Sequence, residues 1–466
     1  MMCERTLSGI PVGGSFRDPS GRVYLCEDHI QRTIQASYAP HWEAMLSNGF
    51  AHEAVQSGLL LEYSETEPVE NSWKNLKIPK LPYITYPYEW TFSQLKDAAL
   101  HTLKIMKLAL EHGLILKDAT AYNIQFIGAQ PVFIDHLSFE IRDSRAPWAA
   151  YLQFCKHFLT PLALMKHVSP DCGKFSSLWI DGVPLDFAST LLPCKTLFSP
   201  SLQIHIHQHA RMQKKYGDAG QSAHKAKTLR MKENSVPNLC ETLRMTIENL
   251  SLPARKTEWV DYYEDTNYTE RAAADKMDFV RKTAGAHKGK LAVDLGANTG
   301  TYSQLLAGSY GCVLAADVDY MAVEKHYLML KEEGNRIIIP LVLDLSAPSP
   351  AIGWALRERN SFNERCQADF ITALALIHHL VFAAGLPLDK TAEYFHHLLT
   401  YDGLLVLEFV PQEDSQVQRL LAARNNFYPT YSIQTCIAEY SRYFDLLEQH
   451  RIEESLRTIL VFKKKT

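Results

Sequence analysis

Apolar positions in residues 291–465 come in short unbroken runs, with helically spaced stretches between them. "KLAVDLGA", "CVLAADVD", "RIIIPLVLDL", "ADFITALAL" and "GLLVLEFV" read as strands, and "TYSQLLAGS", "MAVEKHYLMLKEEG" and "TAEYFHHLLT" as helices. Strands that are apolar along their whole length predict a parallel sheet covered on both faces. Two more runs, "YFDLLEQHRI" and "RTILVFKKK", are separated by about six residues, too few for a crossover helix. They predict an antiparallel hairpin at the sheet edge, and with it seven strands in a doubly wound α/β domain.

The amino-terminal half has another texture. Residues 9–90 alternate β-formers with Pro and Gly, as in "GGSFRDPSGRVYLC" and "LKIPKLPYITYPYEW", and predict strands and turns. Helical spacing starts at "TFSQLKDAALHTLKIMKLALEHG", where Thr91 and Gln94 form a capping box. Leu95, Ala99, Met106 and Leu110 share a face, and Gly113 stops the helix. Residues 141–255 read as mainly helical. The alternation in "HIHQH" predicts a strand with His205, His207 and His209 on one side. These patterns divide the chain into an α+β accessory domain at 1–240, a helical bridge at 241–288 and the α/β domain at 289–466.

Composition narrows the classes of function. At 466 residues with 46% apolar and 21% charged positions, the chain has cores for two or three domains. A formal charge of -4 exerts no overall pull on nucleic acid or anionic membranes, so no nucleic-acid partner is expected. The local basic stretch at 211–232 reads as a solvated helix face. No apolar run approaches a membrane span, and "MMCERTLSGIPVGG" lacks the features of a signal peptide. Nine cysteines without a C-x-x-C pair suit reduced thiols, so a cytoplasmic location is expected. No metal-ligand pattern stands out.

The chemistry concentrates at "LAVDLGANTGTYSQLL". Gly296 permits a tight turn and Gly300 a close approach where the next helix starts. A pyrophosphate-binding turn wants G-x-G-x-x-G, whereas here the spacing is G-x-x-x-G with Asp294 just ahead of it. A carboxylate at that mouth repels phosphate and attracts a cation. S-adenosylmethionine (SAM) brings an ammonium and a sulfonium and no phosphate, so it is the better match. Asp317, ending the second strand in "VLAADVD", is placed to accept ribose hydroxyls, a role common to several nucleoside sites. Asp344, ending the third in "LVLDLS", is placed to accept from an adenine amino group, with Leu345 offering a backbone N–H. Each of the three acids could alternatively be a helix cap.

Residues 291–465 thus resemble a class I SAM-dependent methyltransferase domain, matched through "DLGANTG", "ADVD" and "LDLS". The resemblance implies a Rossmann-like sheet and contacts from the Asp294–Gly300 loop, including Ala297 and Asn298, to the methionine part of SAM. It also implies Asp317 on the ribose and Asp344 near the adenine. Asn298 departs from the glycine of many members. Upstream, "WVDYYEDTNYTERAAADKMDFV" resembles a cofactor-covering segment, with Tyr268 and Lys276 as candidates. Transfer to a hydroxyl or amine needs a proton acceptor. His378 and His379 in "ALIHHLVF" are candidates, either as base or as scaffold, and Glu408 in "LEFVPQED" is another. The acceptor is expected to be a small molecule or a carbohydrate with an O or N nucleophile.

In "LKDATAYNIQFIGAQPVFIDHLSFE", Asp118, Asn123 and Asp135 have a spacing similar to that of kinase-fold phosphotransferases, with "NIQF" and "PVFI" as hairpin strands. The surrounding parts differ: His136 follows Asp135, no phosphate-covering glycine loop is present, and Arg32 is the nearest candidate cation. The three residues therefore read as a retained kinase-like framework or as turn formers. As a whole the chain resembles large bacterial proteins with a carboxy-terminal methyltransferase domain. "YPYEWTFSQLKDAAL", "LKDATAYNIQF" and "PVFIDHLSFE" carry this resemblance, and some members are associated with nodulation or surface-carbohydrate modification. Two rival readings stay open, a bifunctional phosphotransferase–methyltransferase and a SAM-binding regulator without turnover.

Overall fold

The computed structural model describes residues 9–69, 71–215, 232–253, 268–422 and 430–465. Most of the basic stretch at 211–232, and residues 254–267 of the bridge ahead of Tyr268, lie outside them. The chain forms two compact units. The first comprises residues 1–126, 131–254 and 351–359, and the second residues 127–130, 255–350 and 360–466.

The first unit opens with a five-stranded antiparallel sheet in the order β1-β2-β3-β5-β4. Its strands are β1 (Ile10–Pro11), β2 (Val23–Leu25), β3 (His29–Ile34), β4 (Ser64–Thr66) and β5 (Lys74–Pro79). The helix Phe92–Glu111 starts as the sequence predicts. Gln94 N donates to Thr91 Oγ1 at 3.3 Å, and Thr91 N donates back to Gln94 Oε1 at 2.9 Å. Leu95, Ala99 and Met106 are buried, while Leu110 is half-buried at the rim. Gly113, at φ +73°, ends the helix in a conformation that costs glycine little. The chain then forms β6 (Leu114–Leu116), the hairpin β7 (Ile124–Ile127) and β8 (Gln130–Phe133), and β9 (Phe139–Ile141), which pairs with β6.

The rest of this unit is helical, and one expectation fails there. "HIHQH" is a π-helical turn over Gln203–Gln208 that runs into the helix His209–Lys215, not a strand. Helical rotation splits the imidazoles that strand alternation would align. His205 Nδ1 and His209 Nε2 share Tyr151 Oη at 2.7 and 3.2 Å, whereas His207 bonds Ser189 and Thr196.

The second unit is built on a seven-stranded sheet in the order β12-β11-β10-β13-β14-β16-β15. The parallel strands are β10 (Gly289–Leu295), β11 (Tyr310–Asp317), β12 (Ile338–Val342), β13 (Ala368–Ala373) and β14 (Leu399–Phe409). The antiparallel hairpin β15 (Phe444–Arg451) and β16 (Thr458–Lys464) closes one edge. Leu291–Leu295 are buried throughout, because helices cover both faces. The chain runs outward from β10 through β11 and β12, then returns to β13 on the other side of β10. Such a reversal opens a crevice at the carboxyl ends of the two central strands. In the β10–β13 register Asp294 stands opposite Thr372, at that crevice.

Candidate cofactor and active site

The turn after β10 is fastened to the end of β11. Gly296 N and Ala297 N donate to Ala316 O at 2.9 and 3.1 Å, and Asn298 N donates to Asp317 Oδ2 at 2.7 Å. Three residues in this turn have positive φ: Gly296 at +77°, Asn298 at +49° and Gly300 at +87°. Apart from glycine, asparagine is among the residues that best tolerate that region, which accounts for Asn298 where a glycine is common. Gly300 has a further constraint. A Cβ there would come 2.0 Å from Cε1 of His326, whose imidazole is buried directly against it.

Asp317 takes one backbone N–H on each oxygen, from Asn298 at 2.7 Å and from Asp319 at 2.8 Å. Each oxygen keeps a second lone pair, so the carboxylate could still accept two hydroxyls. Burial pushes its pKa up to about 6 against those hydrogen bonds. Asp344 ends the next strand's extension, and its Oδ1 closes a turn by accepting from Ser346 N at 2.8 Å and Ser346 Oγ at 2.6 Å. Its Oδ2 has no protein partner among the described residues, and Leu345 beside it is half-buried.

Asp294 is 2% exposed and accepts from two hydroxyls, Ser303 Oγ and Thr372 Oγ1, each at 2.7 Å. Among the described residues no lysine or arginine forms an ion pair with it. Burial pushes its pKa up, and the two hydroxyls and the field of Lys276 only oppose that shift. An ionised carboxylate held this way is costly until a cation reaches it.

Beside it lies an ion network that holds two predicted cofactor residues and one predicted base. Lys276 Nζ donates to Glu408 Oε2 at 2.7 Å, and Ala375 N reaches the same oxygen at 2.8 Å. Tyr268 Oη donates to Glu408 Oε1, and an Arg457 guanidinium nitrogen stands 3.6 Å from that oxygen. Arg457 also pairs with both oxygens of Asp414, at 2.8 and 3.2 Å, and donates to Tyr268 Oη at 2.9 Å. The rings of Tyr268 and Tyr302 lie 5.0 and 4.8 Å from the Lys276 ammonium. Burial opposes the charge on Glu408, but Lys276 and Arg457 overcome it and hold the carboxyl below its usual range. Three hydrogen bonds and two nearby cations favour its ionised form, which makes Glu408 a weak proton acceptor. Its role in this geometry is to position Lys276, Tyr268 and Ala375. The last has φ +49°, a strained value for alanine.

His378 and His379 follow on the turn after β13, with ring centroids 4.2 Å apart. His378 is 2% exposed, and its Nδ1 has no partner among the described residues. Burial, His379, Arg457 and Lys276 keep its pKa well below normal, and burial with Arg457 lowers that of His379 to about 4. Both imidazoles are therefore neutral at pH 7, able to accept a hydrogen bond but weak as bases. A cavity of about 320 Å³ lined by Val381, Leu386, Pro387, Tyr431 and Thr435 adjoins this turn.

In the first unit the three residues of kinase-like spacing are also gathered together. Asn123 Nδ2 donates to Asp118 O at 3.3 Å and to Ser138 Oγ at 3.1 Å, and Ser138 donates to Asp135 at 2.6 Å. Asp135 is paired with Arg32 at 3.1 Å, and the same Arg32 nitrogen also meets Asp18. Gln153 Nε2 donates to Asp118 Oδ1 at 2.8 Å.

Sequence reasoning missed Arg457, Asp414, Ser303 and Thr372. A polar Thr372 at the end of the apolar run "DFITAL" is a readable signal, since a buried hydroxyl needs a partner. Arg457 sits in the turn between the last two strands, 43 residues from Asp414 and 189 from Tyr268, and no spacing rule connects such positions.

Comparison with known proteins adds one full-length relative. The chain is 32% identical over 466 residues, 97% of its length and 96% of the other's, to the nodulation protein NoeA of Rhizobium meliloti (strain 1021). No family model matches. Among solved structures, N-methyltransferase NodS from Bradyrhizobium japonicum WM9 aligns at 13% identity and TM-score 0.33, covering 42% of this chain and 98% of its own. Magnesium protoporphyrin IX methyltransferase (ChlM) from Synechocystis PCC 6803 aligns at 15% identity and TM-score 0.31, covering 44% and 91%.

Proposed function

Because the chain belongs to the family of the nodulation protein NoeA, we propose that it acts as a SAM-dependent methyltransferase through its second unit. The observation that carries this reading is Asp294: a buried carboxylate at the strand-order reversal, satisfied by hydroxyls and lacking an ion-pair partner among the described residues. A dinucleotide would bring phosphate to that carboxylate, whereas SAM brings cations. In this reading Gly296 to Gly300 provide the backbone cradle, Asp317 accepts the ribose hydroxyls, and Asp344 Oδ2 with the Leu345 N–H faces the adenine. Lys276 and Tyr268 close the methionine end. Bound there, SAM would supply a methyl group activated by its sulfonium.

The chain's own residues then bind and orient the acceptor. His378 presents an Nδ1 with no partner among the described residues, able to accept from an incoming hydroxyl or amine, with the tilted His379 ring beside it. Glu408 holds the surrounding loop. We take the acceptor to be a small molecule or carbohydrate-type compound, with the cavity beside Val381 and Tyr431 as its entry. No helix among the described residues is long and apolar enough to cross a membrane, and we place the protein in the cytoplasm.

Comparing the small molecules and glycans of a deletion strain with those of its parent by mass spectrometry tests the reading. The expected difference is a species lighter by one methylene unit, restored by the intact gene and not by an Asp317→Ala version. A species lacking phosphate instead would favour the phosphotransferase alternative.

A further inference from the structure

The connection between β12 and β13 carries a tight loop, residues 353–357, that belongs to the first unit. Gly353, Ala355 and Leu356 have φ of +87°, +52° and +57°. Glycine adopts such values freely, but alanine and leucine are strained there. The strain is held from the base of the loop. Ile352 and Arg359 exchange backbone hydrogen bonds at 3.0 and 3.2 Å, and Glu358 Oε1 accepts from Trp354 N at 2.6 Å. Arg17 grips both oxygens of Glu358 at 2.6 and 2.7 Å, and that carboxylate side chain is 1% exposed. What this framework presents is apolar: Trp354 and Leu356 are 74% and 67% exposed. The turn around Gly13 packs against the loop, since a Cβ there would come 1.7 Å from Arg357 O. It adds Val12 and Phe16, 38% and 50% exposed. The charges on or touching the two turns are Arg17, Arg22, Arg357 and Arg359 against Asp18, Asp181 and Glu358. Asp18 is paired with the buried Arg32 and Glu358 with Arg17, so Asp181, 4.0 Å from Arg17, is the one acid set against the other arginines.

We propose that these two turns are a docking surface for the headgroup region of an anionic lipid bilayer. Folding by itself buries apolar side chains on relaxed backbone. Here strained backbone exposes them, which points to a partner outside the chain. Side chains as exposed as Trp354 and Leu356 stand clear of the surface and line no groove for a partner protein. A bilayer interface takes such protrusions: the indole seats among the headgroups, and the arginines meet lipid phosphates. The overall charge of -4 does not oppose this, because screening confines the attraction to about 10 Å around the patch. The inference is independent of the methyl-transfer reading.

Sedimentation of the full chain with vesicles tests this, using phosphatidylcholine alone or with about a third phosphatidylglycerol. Wild type should pellet with the anionic vesicles, and less so as salt rises. Trp354→Ala should weaken binding on the order of tenfold and Arg357→Gln about fivefold. Leu356→Gly should weaken binding while keeping or raising the melting temperature, because glycine takes a φ of +57° without strain. That pairing separates lost docking from a lost fold. Wild type that pellets with neither vesicle, or equally with both, overturns the proposal, and so does binding that none of the three variants weakens. A concentration-dependent dimer that Trp354→Ala dissolves also overturns it, and assigns the surface to a second copy of the chain.

Discussion

The Lys276 ammonium lies 2.7 Å from Glu408 Oε2, across 132 residues of sequence, with side chains 4% and 0% exposed. A buried pair like this contributes little over an apolar replacement of both members, but losing one member strands the other. Lys276→Met should therefore destabilise the fold by about 3–5 kcal/mol in urea unfolding. Glu408→Gln should cost less, because an amide can still accept from Tyr268. Equal losses in the two variants would mean that the cation is not what Glu408 is there to hold.

Asp317 gives the site a pH dependence of known sign. Its folded pKa, about 6, lies above the ordinary value of 3.8. Protonation thus favours the folded state, and stability declines as pH rises from about 4 through 6. Ligand affinity runs the other way, since the ionised carboxylate is the better acceptor for ribose hydroxyls. Burial lowers the pKa of both His378 and His379, that of His379 to about 4, so neither accounts for a titration near pH 6. Calorimetry between pH 5 and about 8 should show SAM affinity rising through pH 6 in wild type and flat in Asp317→Asn. A rise that persists in the variant would assign the titration elsewhere.

Gly300 should resist substitution for two separable reasons. Its φ of +87° disfavours any side chain, and a Cβ would fall 2.0 Å from His326. Gly300→Ala should lower stability by more than the roughly 1–2 kcal/mol of the backbone alone. Adding His326→Ala should recover the steric part in a thermal melt. No recovery would place the whole cost in the backbone.

Which features could be read from sequence follows from the range of the interactions behind them. The capping box of Thr91 and Gln94 and the stop at Gly113 are local, and so is the seven-strand pattern with its terminal hairpin. The positions of Asp294 and Asp317 at strand ends beside a glycine turn are legible for the same reason. "HIHQH" misled because three alternating residues fit a strand as well as they fit part of a tight helix. The surroundings of Glu408 are not legible in the sequence, since Lys276, Tyr268 and Arg457 converge on it from distant segments. The Asp118–Asn123–Asp135 spacing did mark a true cluster, but its closure by Arg32 appears only in three dimensions.

That closure yields a prediction for the first unit. Arg32 joins Asp135 and Asp18 with a side chain only 5% exposed, so the constellation is a structural network rather than an open metal site. Arg32→Met should destabilise by about 3–5 kcal/mol, while Asp135→Asn, which keeps its bond from Ser138, should cost less. Neither should alter SAM affinity by more than about twofold, the usual independence of sites that share no partners. ATP consumption by the wild type that vanishes in Asp135→Asn would contradict this account.

The most direct test of the central claim is calorimetric titration of the full-length protein with SAM, with NADH as the control ligand. One SAM per chain is expected, with affinity lost by at least about thirtyfold in both Asp294→Ala and Asp317→Ala. Tight binding of NADH without binding of SAM would contradict it.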